Sequence, residues 1–147
     1  METLPFEIAE TAHALRRAFD RRAVSLGVTR AQWKVLFRLS RSPGLRQVEL
    51  ADLLDIEPIT LCRIIDRLED AGLVERQRDP ADRRAWKLTL TPAAKPLVTK
   101  LHALAEVMIG EAFAGMSSKE IAVLKHNLAR VRDNISAAAP AAKAVNQ

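Results

Sequence analysis

Residues 47–66 read QVELADLLDIEPITLCRIID, and this stretch decides the fold. It holds two short helical patterns, roughly 46–54 and 58–70, on either side of a brief break. A helix-turn-helix needs a small residue where its helices cross, a turn residue that tolerates left-handed backbone, and two apolar anchors on the second helix. Gln47 opens the first helix, Ala51 is the small crossing residue, and Leu61 and Ile64 are the anchors. Asp55 takes the turn, where glycine is commonest; aspartate tolerates that conformation less well than glycine but better than most residues. With Leu61, Ile64, Ile65 and Leu68 turned inward, the outward face presents Pro58, Ile59, Thr60, Arg63 and Arg67. Such a face suits a major groove: Thr60 for a base edge or phosphate, Ile59 for a thymine methyl, and Arg63 for a bidentate contact to guanine. Asp66 and Glu69 stand at spacings suited to pairing with Arg63 and Arg67, so a surface ion pair is the competing expectation for each arginine.

Downstream the period changes. Gly72 ends the second helix. Trp86, Leu88 and Leu90 alternate with Ala85, Lys87 and Thr89, which predicts a strand with one buried face, and Val74–Asp79 reads as its hairpin partner. The tip, Asp79-Pro-Ala-Asp82-Arg83-Arg84, puts two arginines beside a turn. Narrow A·T-rich minor grooves carry enhanced negative potential and are commonly read by an inserted arginine. After a helix-turn-helix this hairpin is expected to be a wing, with Asp82 holding one arginine's fork while the other enters the groove.

Long helices flank this centre. Leu4, Ile8, Leu15, Phe19 and Leu26 recur at helical spacing up to Gly27. Thr29-Arg-Ala-Gln32 is a capping box that opens a helix through Trp33, Leu36 and Phe37, and Ser42-Pro43-Gly44 breaks it. Thr91-Pro92 reads as an N-cap with proline at the first position of a helix bearing Leu97, Leu101, Leu104 and Met108. Ser117-Ser-Lys-Glu120 is a second capping box, opening a helix whose Ile121, Leu124, Leu128, Val131 and Ile135 form a heptad seam. The fold class expected is mainly α: a winged helix-turn-helix with long N- and C-terminal dimerisation helices and a β-hairpin wing. The boundaries are 1–28 for the N-terminal dimerisation helix, 29–91 for the DNA-binding lobe, 92–138 for the C-terminal dimerisation helices, and 139–147 for a flexible tail, with fraying after Ser136. Narrow apolar stripes on long terminal helices are best explained by a second copy, placing Leu4, Ile8, Leu15, Leu124, Leu128, Val131 and Ile135 in a homodimer interface.

Composition excludes several classes. The 147 residues are 48% hydrophobic and 28% charged, enough for a real core in one domain with helical extensions. The net charge of +5 points weakly to an acidic partner. Residues 1–50 hold nine Arg or Lys against five acids, whereas residues 57–90 hold seven of each sign, so a DNA surface there depends on placement. No apolar run approaches a membrane span and no leader is evident, which reads as cytoplasmic with no membrane partner. Neither a phosphate-cradling glycine loop nor a nucleophile elbow is present, so the chain reads as no enzyme, and no cofactor is expected. His13, His102 and His126 fall on three helices without ligand spacing, so no metal site is expected. Cys62, the one cysteine, reads as a packing residue of the second helix rather than a redox sensor, which would need an electropositive setting.

The run from Asp55 to Arg76, with Leu68-Glu-Asp-Ala-Gly-Leu-Val-Glu-Arg76 at its end, followed by Asp79-Pro-Ala-Asp-Arg-Arg-Ala-Trp-Lys-Leu-Thr-Leu-Thr91, resembles the MarR family, particularly its SlyA-like branch. The resemblance spans nearly the whole chain, and its most specific part is residues 47–91. It implies a triangular homodimer on double-stranded DNA at a pseudo-palindromic operator, each second helix in a major groove and each wing in the flanking minor groove. It also implies a repressor released by a small, aromatic effector bound between the dimer helices and the DNA-binding lobe. By position, Arg17, Trp33 and Phe37 would line that pocket. Some members sense oxidants through a cysteine in the first helix, where this sequence has none. The alternative carried forward is a winged-helix module that contacts proteins and binds DNA only nonspecifically.

Overall fold

A computed structural model describes residues 2–143. The chain divides into two compact units, residues 1–108 and residues 109–147. In the first, α1 (Leu4–Ala23) ends in a single 3-10 turn, Val24–Leu26, stopped by Gly27 at φ 69°. Then follow α2 (Arg30–Arg41), β1 (Leu45–Arg46), α3 (Gln47–Leu54), α4 (Pro58–Asp70), β2 (Val74–Asp79), β3 (Asp82–Leu90) and α5 (Lys95–Ala112), which runs across the boundary between the units. The second unit is mainly α6 (Ser118–Lys143). Among the described residues, six α-helices and one small antiparallel sheet make a mainly α winged helix-turn-helix.

Local chemistry sets the ends of these elements. At α2 the Thr29 hydroxyl accepts from the Gln32 amide while the Gln32 side chain accepts from the Thr29 amide, completing the expected box. At α6 the Ser117 hydroxyl accepts from the Glu120 amide, and the Glu120 carboxylate accepts from both the Ser117 amide and hydroxyl. These bonds hold the Glu120 carboxyl below its ordinary pKa. Thr91 departs from expectation. Its hydroxyl donates to the Gly72 carbonyl instead of capping a helix, and Pro92–Ala94 form a 3-10 turn before α5 begins. Nearly twenty residues separate donor from acceptor, so local spacing carried no sign of this bond. α6 runs to Lys143, and residues 144–147 of the tail expected to fray after Ser136 lie outside the described residues.

The core of the first unit gathers Phe19 and Ala23 of α1, Val35, Leu36 and Leu39 of α2, Leu50 of α3, Leu61, Ile65 and Leu68 of α4, and Leu88 of β3. Leu101 of α5 is fully buried with them, and Leu97, Leu104 and Met108 pack partly against the same cluster. Burying such a side chain is worth about 1.5–3 kcal/mol, so these contacts fix α3 and α4 in place.

The sheet has three strands in the order β1-β3-β2 rather than the two of an isolated hairpin. Leu45 pairs with Leu88 and Arg46 with Lys87, so β1 covers part of one edge of β3. Two residues are too few to leave a period-2 signature, and this strand was not expected from the sequence. Alternation along β3 is weaker than anticipated too: Leu88 is fully buried, but Trp86, Lys87 and Leu90 are all half-buried.

Candidate nucleic-acid interface

The helix-turn-helix is built as its residue types require. Ala51 is buried where α3 meets α4. Asp55 follows α3 in the left-handed conformation, φ 52° and ψ 48°, and its amide donates to the Ala51 and Asp52 carbonyls. It is the one non-glycine residue with positive φ among the described residues. Pro58 occupies the first turn of α4, where a missing amide costs nothing. Leu61, Ile65 and Leu68 are fully buried and Ile64 half-buried, leaving Pro58, Ile59, Thr60, Arg63 and Arg67 exposed on the opposite face.

The competing ion-pair expectation for Arg63 and Arg67 is corrected. Asp66 and Glu69 pair with Arg76 of β2, whose Nη1 lies 2.7 Å from Asp66 Oδ1 and 3.1 Å from Glu69 Oε1. The same guanidinium donates through Nε to Gln47 of α3 and through Nη2 to the Cys62 carbonyl. Burial works against the Arg76 charge, but the two carboxylates outweigh it and raise its pKa. Neither Arg63 nor Arg67 has an ion pair among the described residues. The cation beside half-buried Cys62 is Arg76, whose Nη2 sits 3.7 Å from Sγ.

The wing is tied down by a different aspartate from the one expected. Asp82 does not hold an arginine fork; its carboxylate accepts from the Arg84 backbone amide in a local turn. Asp79 has the anchoring role. It is 2% exposed, and accepts from the Ala81 amide at 2.9 Å and from Arg46 Nε at 2.8 Å, with Arg46 Nη2 at 2.7 Å and Lys87 Nζ at 3.7 Å. The Ala81 amide, against the opposing effect of burial, together with Arg46 and Lys87 holds its carboxyl below the ordinary value. Arg78 lies 3.9 Å over the Trp86 ring and donates to the Arg83 carbonyl, bracing the tip from the other strand. Arg83 and Arg84 are left exposed, without an ion pair among the described residues.

Sequence reasoning missed Arg46, Arg76, Arg78 and Asp79 as the residues that hold this surface in shape. One signal was available for Arg76. It stands two residues from Val74, on the strand face that Val74 buries, and an inward-facing charge must find partners.

Trp33 and Phe37 share the wall of an open groove of about 200 Å³ with Lys34, Arg38, Arg41 and Leu54. Trp33 donates through Nε1 to Asp20 at 2.7 Å, its ring meets Phe19 edge-on, and Phe37 lies against His102 with centroids 4.8 Å apart. Burial opposes ionisation of Asp20, but hydrogen bonds from Arg30 and Trp33 and the charges of Arg30 and Arg16 prevail and lower its pKa. Arg17 is exposed on α1 and is not among the residues lining this groove, so the three residues expected to form one pocket are not brought together within it. Among the described residues no cluster of His, Cys, Asp and Glu could hold a metal ion, and no helix is long and apolar enough to cross a membrane.

Residues 28–86 match the MarR family. The chain is also similar to the crystal structure of the transcriptional regulator PA3341, at 35% identity and a TM-score of 0.82, over 90% of this chain and 97% of that one. The chain belongs to the MarR family. It resembles the transcriptional regulator SlyA at 29% identity and a TM-score of 0.77, covering 90% of this chain and 94% of SlyA, in keeping with the SlyA-like character of its motifs. It is likewise similar to a cysteine-to-serine variant of MarR from E. coli complexed with operator DNA, at 28% identity and a TM-score of 0.73, over 88% and 95% of the two chains. The protein is thus a transcription regulator with the DNA-binding winged helix of the MarR family.

Proposed function

We propose that this MarR family protein is a cytoplasmic, sequence-specific repressor that binds a pseudo-palindromic operator as a homodimer and is released by a small aromatic effector. The observation that carries the DNA reading is the exposed face of α4, where Arg63 and Arg67 stand without ion pairs among the described residues, beside Pro58, Ile59 and Thr60. Arginine fits the O6 and N7 acceptors of guanine in two parallel bonds, and a free guanidinium can form them without first breaking an ion pair. Arg83 and Arg84, on a tip braced by Asp79 and Arg78, suit a narrow minor groove, with Asp82 shaping the turn that presents them. The operator complex known for the similar E. coli protein supports the same reading.

Exposed apolar side chains support the dimer. Leu4 and Ile8 of α1 are open to solvent, and Leu15 is half-buried. On α6, Leu124, Val131 and Ile135 are exposed and Leu128 half-buried. The proposed division keeps residues 1–28 and 92–138 for dimerisation and 29–91 for DNA. The effector reading rests on the aromatic wall of Trp33 and Phe37, with Arg17 as an outlying contributor. An effector changes operator affinity only to the extent that it favours the arrangement that cannot bind DNA.

Selection from a random DNA pool tests the proposal. An inverted repeat with half-sites about one helical turn apart is expected. Arg63→Ala should then reduce discrimination between sites, whereas Arg84→Ala should weaken binding with little change in base preference. Recovery of no motif, with weak salt-sensitive binding to every sequence, would replace this reading with that of a protein-contact module.

A further inference from the structure

We infer that Arg76 is a positioning residue for DNA recognition: it draws Asp66 and Glu69 away from the reading face of α4 and so keeps Arg63 free for DNA. The inference rests on the DNA-binding reading above. Asp66 stands three residues after Arg63, a spacing at which opposite charges on a helix surface meet and pair. In this structure Asp66 turns the other way, to the Arg76 guanidinium at 2.7 Å. Glu69 is held twice, by Arg76 Nη1 and by the Arg76 backbone amide, each at 3.1 Å.

The guanidinium is well placed for this work. Its side chain is 13% exposed, against 55% for Asp66 and 42% for Glu69, so the cation is seated and the acids reach to it. Gln47 of α3 accepts from Nε at 3.1 Å, and the Cys62 carbonyl accepts from Nη2 at 3.2 Å. A planar fork with five donors can serve all these acceptors together, whereas an ammonium cannot. Without Arg76, α4 would carry two uncompensated carboxylates beside the phosphates it must approach, with Asp66 within reach of Arg63.

A purely architectural Arg76 predicts a loss of stability and nothing more, which a mutant cycle distinguishes. Wild type, Arg76→Met, Asp66→Asn and the double variant are compared for operator affinity by filter binding and for thermal midpoint. Arg76→Met is expected to weaken operator binding about tenfold, the scale of one good base contact. It should also flatten preference at the base pair read by Arg63. Adding Asp66→Asn should restore the affinity to within about threefold of wild type. The thermal midpoint should stay low, because the bonds to Gln47 and Cys62 remain absent. Should Arg76→Met fail to fold, the equally uncharged Arg76→Gln serves in its place, with the same rescue expected. Unchanged affinity on losing Arg76, or a loss that Asp66→Asn leaves uncorrected, overturns the inference. A wild-type protein with no sequence preference would remove the DNA-binding reading itself, and this inference with it.

Discussion

Asp55 offers the most direct test of how α3 and α4 are joined. The turn between α3 and α4 holds it at φ 52° and ψ 48°, a region where an ordinary side chain costs roughly 1–2 kcal/mol and aspartate rather less. Replacing it by alanine removes aspartate's tolerance and should destabilise the fold by about 1 kcal/mol. Valine, branched at Cβ, should cost about 2 kcal/mol. Glycine relieves the left-handed strain but adds about 0.5–1 kcal/mol of chain entropy to be lost on folding, so Asp55→Gly should fall within about 0.5 kcal/mol of wild type. For a chain of this size 1 kcal/mol moves the thermal midpoint by about 3 °C, giving expected losses of about 3 °C for alanine and 6 °C for valine. The measurement is thermal unfolding by circular dichroism at one fixed protein concentration, because association shifts the midpoint. A valine variant as stable as wild type would refute the reasoning and mean that the turn relaxes out of the left-handed region at little cost.

Leu61 is fully buried on the inner face of α4, so Leu61→Ala should lower stability by about 2–5 kcal/mol in urea unfolding, and a loss under about 1 kcal/mol would show the anchor is dispensable. Trp33→Phe keeps an aromatic ring but removes the Nε1 bond to Asp20, for an expected loss of about 1–2 kcal/mol, read from the same urea midpoints. The folded-state pKa values of Asp79 and Asp20 lie below the ordinary aspartate value of 3.8. Their contribution is therefore complete above that value and is lost as pH falls through the lower folded values, because the unfolded chain then binds protons that the folded chain does not. The urea midpoint should accordingly fall as pH drops below the ordinary value of 3.8, and Asp79→Asn should flatten the fall; an unchanged slope in that variant would count against the Asp79 anchor.

What was legible in the sequence was what is local. Thr29 and Gln32, or Ser117 and Glu120, meet across three residues, so their boxes could be read directly and their bonds are present. The rhythm of Leu61, Ile65 and Leu68 is likewise local, and their burial sets the outward face of α4. Contacts between distant positions were not legible. Arg46 reaches Asp79 across thirty-three residues and Arg76 reaches Gln47 across twenty-nine, and no short-range pattern encodes such meetings. For the same reason local spacing points to Asp82 as the holder of a wing arginine, whereas the arginine-bound aspartate is Asp79, paired with Arg46 of β1. Both aspartates border the same turn, and the pairing of β1 with β3 brings the Arg46 guanidinium to Asp79.

The stacking of Arg78 on Trp86 has a spectroscopic consequence. The chain contains two tryptophans and no tyrosine, so its near-ultraviolet emission comes from just two indoles. Trp86 lies under a guanidinium that also grips the carbonyl of Arg83, so any movement of the hairpin tip changes the charge held 3.9 Å from its ring. Trp33 stands instead in the aromatic wall, hydrogen-bonded to Asp20. In a Trp33→Phe protein the remaining emission reports the tip alone, and in Trp86→Phe it reports the aromatic wall alone. Docking on DNA and occupation of the groove can thus be followed as two separate optical signals, with no label attached to the protein.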